Sequence, residues 1–272
     1  MKKIRILFVS ILLSITTFAQ NNDVDFSNQY ESIDSLLVEV EYDYKHNEAP
    51  QYDDFLRNDK LFLEIGKTIA HSYTEREMNI STRIERDWQL KKIHTHRSFD
   101  SCIGEVYNNY PAGKMTVITV LDLGGPFRHK EDVPDFKWVI SEEHKQVMNY
   151  ECIKATCSFR GRDYEAWFTP DIPMSYGPWK FCGLPGLILE IRDSKNEYIF
   201  VCKAIQKNNG KNITFWNREY KDCTRKEMRK YQKILHLKPV DFCAMYGRTI
   251  YNEKGLIKNE DWGYERNVIE KE

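Results

Sequence analysis

Met148-Asn149-Tyr150-Glu151-Cys152-Ile153-Lys154-Ala155-Thr156-Cys157-Ser158-Phe159, Arg160-Gly161-Arg162-Asp163 and Tyr164-Glu165-Ala166-Trp167-Phe168-Thr169 are consecutive, and their reading decides the fold. Apolar and polar positions alternate toward a glycine-bearing turn and away from it again. That is the pattern of an antiparallel hairpin with one face on a core. Gly161 at the first central position of Arg160–Asp163 predicts a type II′ turn. Pairing Arg160 with Asp163 sets Phe159 opposite Tyr164, Cys157 opposite Ala166 and Ala155 opposite Phe168, all on the apolar face. Ser158 with Glu165 and Thr156 with Trp167 fall on the other face.

Working outward, Leu187–Arg192 and Glu197–Ile205 form a second hairpin around Asp193-Ser194-Lys195-Asn196. Ile191 then faces Tyr198, Leu189 faces Phe200 and Leu187 faces Cys202. Ile188, Ile199 and Val201 make the opposite face apolar too, so these strands are expected to be covered on both sides. Upstream, Val38, Val40, Tyr42 and Tyr44 alternate with polar residues in a further strand. Leu61–Ile65, Met115–Leu123 and Phe136–Ile140 read as strands as well. Residues 74–92 carry Ile80, Ile84 and Trp88 at helical spacing. Thr224-Arg225-Lys226-Glu227 is a capping box that opens a helix to about His236, ended by Lys238-Pro239. The fold class expected is mainly β (α+β): a curved antiparallel sheet or half-barrel built from hairpins, with about two helices packed on it.

The chain has 272 residues, of which 41% are hydrophobic and 30% charged, enough apolar content for a sizeable core and too much for a disordered chain. Lys plus Arg number 40 against 41 Asp plus Glu, so bulk charge gives no reason to expect a nucleic-acid partner. Lys2, Lys3 and Arg5 precede an apolar run from Ile6 to about Ala19, followed by Asn21-Asn22-Asp23. This pattern predicts a signal peptide over 1–19, cleaved before Gln20. The run falls short of the roughly 20 residues a spanning helix needs. No cysteine follows the cleavage site, which argues against a lipoprotein. Without those three positive charges, the formal net charge of −1 becomes −4. The expected organisation is one antiparallel-sheet domain over 20–250 and a loose polar tail over 251–272. No later segment reaches transmembrane length, and the expected location is the periplasm or cell envelope.

Residues 176–191 contain Gly183-Leu184-Pro185-Gly186-Leu187-Ile188. Around it lie Phe136-Lys137-Trp138, Tyr150 to Thr156, Phe159-Arg160-Gly161-Arg162, Ala166-Trp167-Phe168-Thr169 and Ile172-Pro173. In this order the segments resemble the GLPGLI family of exported Bacteroidetes proteins, over roughly residues 30–240. The resemblance implies an exported envelope protein, linked to outer-membrane transport, and supplies no catalytic residues. The hairpin order also looks like the half-barrel of periplasmic lipoprotein carriers, in architecture alone. Physically, Gly177-Pro178 and Pro185-Gly186 make rigid turns into the Leu187 strand, and Gly183 and Gly186 permit positive φ or close backbone approach.

The functional expectation is a non-enzymatic binding protein for an apolar ligand, whether lipid or peptide, or for an envelope partner protein. Trp179, Phe181, Leu184 and Leu187 would line the mouth of an apolar cavity. Arg160 and Arg162, beside the hairpin turn, would receive an anionic headgroup or a carboxylate. No catalytic residue and no cofactor are expected. Other constellations remain open. A periplasmic hydrolase would use Asp163, Glu165, Asp171 or Glu190, and a thiol-dependent enzyme one of the seven cysteines at 102, 152, 157, 182, 202, 223 and 243. Export makes disulfides expected among those cysteines. A metal-trafficking module would rest on His94 and His96, helped by His129, His144 or Met115. The basic face of Arg225, Lys226, Arg229, Lys230 and Lys233 reads as solvated or facing an anionic partner.

Overall fold

The computed structural model describes residues 25–51, 56–90, 103–121, 124–208, 210–247 and 265–271, with 249, 251–252, 255–256 and 258–259. The expected signal peptide and the pair His94 and His96 lie outside the described residues. A turn of 3-10 helix at Ser27–Gln29 leads into β1 (Tyr30–Asn47), then β2 (Leu56–Gly66), β3 (Ala70–Thr74) and α1 (Glu75–Gln89). Next come β4 (Glu105–Asn108), β5 (Lys114–Leu121), β6 (Gly125–Asp132), β7 (Val139–Val147), β8 (Tyr150–Phe159) and β9 (Arg162–Thr169). The rest are β10 (Leu187–Asp193), β11 (Tyr198–Lys207), β12 (Asn212–Trp216), β13 (Lys221–Asp222), α2 (Arg225–Leu237), α3 (Pro239–Met245) and the small pair β14 (Tyr251–Asn252) and β15 (Gly255–Leu256).

One sheet carries the order β13-β6-β5-β4-β3-β2-β1-β11-β10-β9-β8-β7, with β12 paired to the first half of β1. This corrects the expected half-barrel of antiparallel hairpins. The sheet is an open path whose end strands, β13 and β7, do not pair, so it is not closed into a barrel, and its β13–β6 pair is parallel. Consecutive hairpins were the basis of the expectation, but the long β1 is flanked by β2 on one side and by the distant β11 on the other. No local pattern announces that pairing. Among the described residues there are also three α-helices rather than about two. Pro239 does not merely end α2 but occupies the first turn of α3, where a missing N–H costs nothing. The exposed end strand β7 is charged along its middle, which discourages edge-to-edge pairing.

Both central hairpins form with the expected faces and a register two residues away from the expected one. Phe159 pairs with Arg162, Cys157 with Tyr164 and Ala155 with Ala166. The turn is Arg160-Gly161, with φ of 45° and 78°, which is type I′ rather than II′. In the second hairpin Ile191 pairs with Phe200. There the Asp193 carboxylate accepts from the Glu197 and Tyr198 amides at 2.7 and 2.8 Å, which lengthens the turn. A slip of two leaves side-chain parity intact. Cys157, Tyr164, Ala155, Ala166, Ile191 and Phe200 accordingly all reach the core. Val40, Tyr42, Tyr44, Leu61, Leu63 and Ile65 join them from β1 and β2.

The 176–191 segment plugs this core. Phe181 meets Phe136, Tyr164, Trp179 and Phe200 ring to ring. A Cβ on Gly186 would sit 2.1 Å from the Thr169 carbonyl oxygen, so only glycine admits that approach. Gly183 has φ of +92°. The rigid-turn reading of the motif therefore has a concrete steric cause.

Candidate functional site

Of the tail expected to be loose after Tyr251, residues 265–271 are described and pack against the domain. They run as an irregular strap against the hairpin turns, bending at Ile269, which is buried in the main core with Arg266 and Glu270 buried beside it. Arg162, itself buried, is the main clamp. Its Nε donates to the Ile269 carbonyl at 3.1 Å, and its Nη2 donates to the Val268 carbonyl at 2.9 Å and to Asn267 Oδ1 at 2.5 Å. Asp193 and Glu197, at 2.6 and 2.7 Å, fix the guanidinium from behind. Tyr198 donates its hydroxyl to the Asn267 carbonyl at 2.5 Å and Tyr164 to the Ile269 carbonyl at 3.3 Å. The Lys271 amide closes the run by donating to the Arg160 carbonyl at 2.9 Å.

Glu270 points into a charged nest. Its carboxylate meets Lys180 Nζ at 2.6 Å, Arg225 Nη1 at 3.0 Å and the Arg160 guanidinium. Glu131 on β6 completes the nest, 2.6 Å from both Lys180 and Arg160. Burial opposes ionisation of Glu270, but the Lys180 and Arg160 charges outweigh it and bring the carboxyl down to about 2. Glu131 is likewise held below its ordinary range, with Lys180 overcoming the burial penalty. The nest thus combines charge-assisted hydrogen bonds in a setting largely closed to water.

The expected site residues separate into two groups. Arg160 and Arg162 are engaged by the chain's own strap, through the Glu270 carboxylate and the Val268 and Ile269 carbonyls. Phe181, Leu184 and Leu187 are buried in the core rather than lining a cavity mouth, and Trp179 alone of the apolar set borders a cavity. Lys180, Glu131 and Glu270 were missed. The available signals were small: a lysine set between Trp179 and Phe181, and the Val268-Ile269 pair inside a charged tail.

That cavity, of about 760 Å³, lies between α2, the strap and the β5–β6 face, with Ile103, Val117, Thr119, His129 and Trp179 among its walls. His129 is held neutral by burial and by the Lys180 charge, its pKa lowered to about 4.

The disulfide expectation is corrected: Cys152, Cys157, Cys182, Cys202, Cys223 and Cys243 are all free thiols. Cys102 lies outside the described residues. Cys152, Cys157 and Cys202 occupy inward positions of β8 and β11, Cys182 lies buried in the segment before β10, Cys243 is buried in α3 and Cys223 is half-buried ahead of α2. Burial pushes Cys152, Cys182 and Cys223 up to about 11 and Cys157 and Cys202 up to about 12, which leaves them thiols rather than nucleophilic thiolates at neutral pH. Among the described residues no group of three or more His, Cys, Asp or Glu could hold a metal ion. His144 is exposed and paired with Glu151 at 2.9 Å. Glu165 serves Arg192 and Lys154, and Glu190 serves Lys145, so these carboxylates form ion pairs and not a hydrolytic pair. Among the described residues no helix is long and apolar enough to cross a membrane, which says nothing of strands.

With this geometry in place, comparison with known proteins adds little. A family model described as a protein of unknown function (Porph_ging) matches residues 159–190, a window that holds the turn, β9 and the Gly183–Ile188 segment. The match bears another description and covers only these 32 residues, so the resemblance drawn from the motif gains no support from it. No curated protein sequence matches the chain. Two crystal structures of PNGF-II, in the P21 and C2 space groups, share 12% and 13% identity with it, each with a TM-score of 0.49. They cover 72% and 73% of this chain, which spans about a third, 33% and 34%, of theirs.

Proposed function

We propose that the protein is an exported, non-enzymatic binding protein of the cell envelope that recognises an extended peptide segment of a partner. The segment would carry an apolar residue followed by an acidic one. One observation carries this reading: the buried Arg162 side chain is committed to main-chain and side-chain oxygens of a segment without regular structure, Asn267 to Ile269, that is far away in sequence. Main-chain hydrogen bonds give affinity for any extended peptide, and pockets for alternate side chains give selectivity. Here Ile269 packs in the core and Glu270 in the cationic nest, and a ligand would reproduce this order in trans. Export rests on the signal-like residues 1–19, and the absence of a following cysteine favours a protein without a lipid anchor.

The test is capture of a labelled peptide with the sequence of residues 265–271 by the full chain carrying Ile269→Ala and Glu270→Gln, which loosen the strap. Binding should be saturable, and weaker in the wild-type chain, whose strap competes. Peptides with alanine for isoleucine or glutamine for glutamate should bind at least tenfold more weakly. A folded, loosened variant that ignores the peptide refutes the reading.

A further inference from the structure

The cavity beside the strap has its own chemistry. Its apolar lining includes Ile103, Val117 and Trp179 from the sheet side and Met228 from α2. Seven cationic side chains line it, against the two carboxylates of Glu265 and Glu270. At its inner end the nest holds Arg160, Lys180, Arg225 and Arg229 near Glu131 and Glu270, so cations outnumber carboxylates there too. On α2, Lys230 and Lys233 are exposed and add positive field at the rim. A low-dielectric wall under an excess of one sign of charge concentrates the opposite ion.

His129 supplies an independent pointer. It is a cavity-lining residue, only 4% exposed, and neither ring nitrogen has a hydrogen-bond partner among the described residues. Buried polar side chains are ordinarily paired, and a neutral imidazole offers one donor and one acceptor. It stands across the sheet from Val117, so the unpaired ring and the apolar floor are adjacent.

We infer that this cavity is a binding site for a small amphipathic carboxylate, its apolar body on Ile103, Val117 and Trp179 and its anionic end accepting the His129 N–H amid the cationic excess. Glu131 and Glu270 face the same region, and their charge is already matched by Lys180, Arg160 and Arg225. The site adjoins the peptide cradle and requires the strap in place, because residues 265–271 form one of its walls.

Decanoate is the probe, titrated into the full chain by calorimetry, with decanol and acetate as controls for charge and for the apolar body. Decanoate should bind at least tenfold more tightly than either. Saturation should shift the His129 ring ¹⁵N resonances. Lys233→Glu, on an exposed helix position, should weaken binding several-fold without altering the fold, and His129→Phe should weaken it more. Equal affinity for decanol or acetate, no decanoate binding at millimolar concentration, or an unmoved His129 resonance at saturation each overturns the inference. The resonance decides the matter even if His129→Phe fails to fold.

Discussion

Glu270→Gln removes one charge from the nest and keeps the shape of the side chain. In the folded protein the carboxyl lies at about 2 against an ordinary value of 4.5, because Lys180 and Arg160 outweigh the cost of burial. At about 1.4 kcal/mol per pH unit, that difference corresponds to roughly 3 kcal/mol of stabilisation at neutral pH. Breaking one partner out of a buried charged group costs a similar amount, about 3–5 kcal/mol, since Lys180 and Arg160 lose a counter-charge. The sign follows from the direction of the shift. A carboxyl lowered on folding contributes fully above its unfolded value of 4.5, and the contribution fades as pH falls toward 2. Urea unfolding followed by tryptophan fluorescence should therefore show the variant's midpoint lowered by about 1 M at pH 7, for a slope near 3 kcal/mol/M. The gap between variant and wild type should narrow steadily between pH 5 and 2.5. Identical midpoints at pH 7, or a gap that does not change with pH, would refute the view that the strap is held by the Glu270 charge.

Three further outcomes are expected. His71 is buried between Glu64 and Glu105, each 2.9 Å from a ring nitrogen; burial disfavours its charge, but those two carboxylates prevail and raise it to about 9. Its contribution should be complete below pH 6.5 and vanish as pH rises through 9, and a ¹⁵N titration should place its ionisation there; a midpoint near 6.5 would contradict the assignment. Gly186→Ala forces a Cβ to within 2.1 Å of the Thr169 carbonyl oxygen and should cost about 1–3 kcal/mol in thermal unfolding, as overpacking does. Thr224→Ala deletes the hydroxyl that accepts the Glu227 amide at 3.2 Å in the capping box of α2 and should cost about 1 kcal/mol, seen as a lowered Tm.

Periodicity in the sequence settled which residues face inward, and it did so even where the pairing was misjudged. Arg160 accepts a positive φ that the turn reading reserved for glycine, and Asp193 spends its carboxylate on two amides beyond the turn. Each moves the register by two, an even number, so Tyr164 and Phe200 still enter the core. The order of strands was not legible, because β1 and β11 pair across more than half the chain with no signal in either segment alone. The same holds at the site. Arg160 and Arg162 stood out beside a turn, but Lys180 and Glu270, 90 positions apart, are meaningful only once the chain has brought them together. The cysteines failed in the opposite way: compartment chemistry favours bridges, whereas Cys152, Cys157 and Cys202 occupy inward strand positions as small apolar side chains.

The Trp179-Lys180-Phe181 run joins the two halves of the functional argument. Phe181 is locked among five rings, and the Trp179 amide and indole N–H donate to Ser72 Oγ at 2.9 Å and to the Ile103 carbonyl at 3.1 Å. Between two such anchors Lys180 has no freedom to reach water, so its ammonium must find carboxylates where it lies. Glu131 on the sheet supplies one and the strap's Glu270 supplies the other. Losing the strap therefore leaves Lys180 and Arg160 facing Glu131 alone, an excess of buried positive charge next to the open pocket of Ile269. That state is costly for the isolated chain and favourable for capture of any extended segment that returns an apolar residue and a carboxylate in the same order. The rigidity of the proline- and glycine-bearing segment, which looks purely structural in the sequence, is what keeps that charge in position, and on the proposed function it would select the ligand.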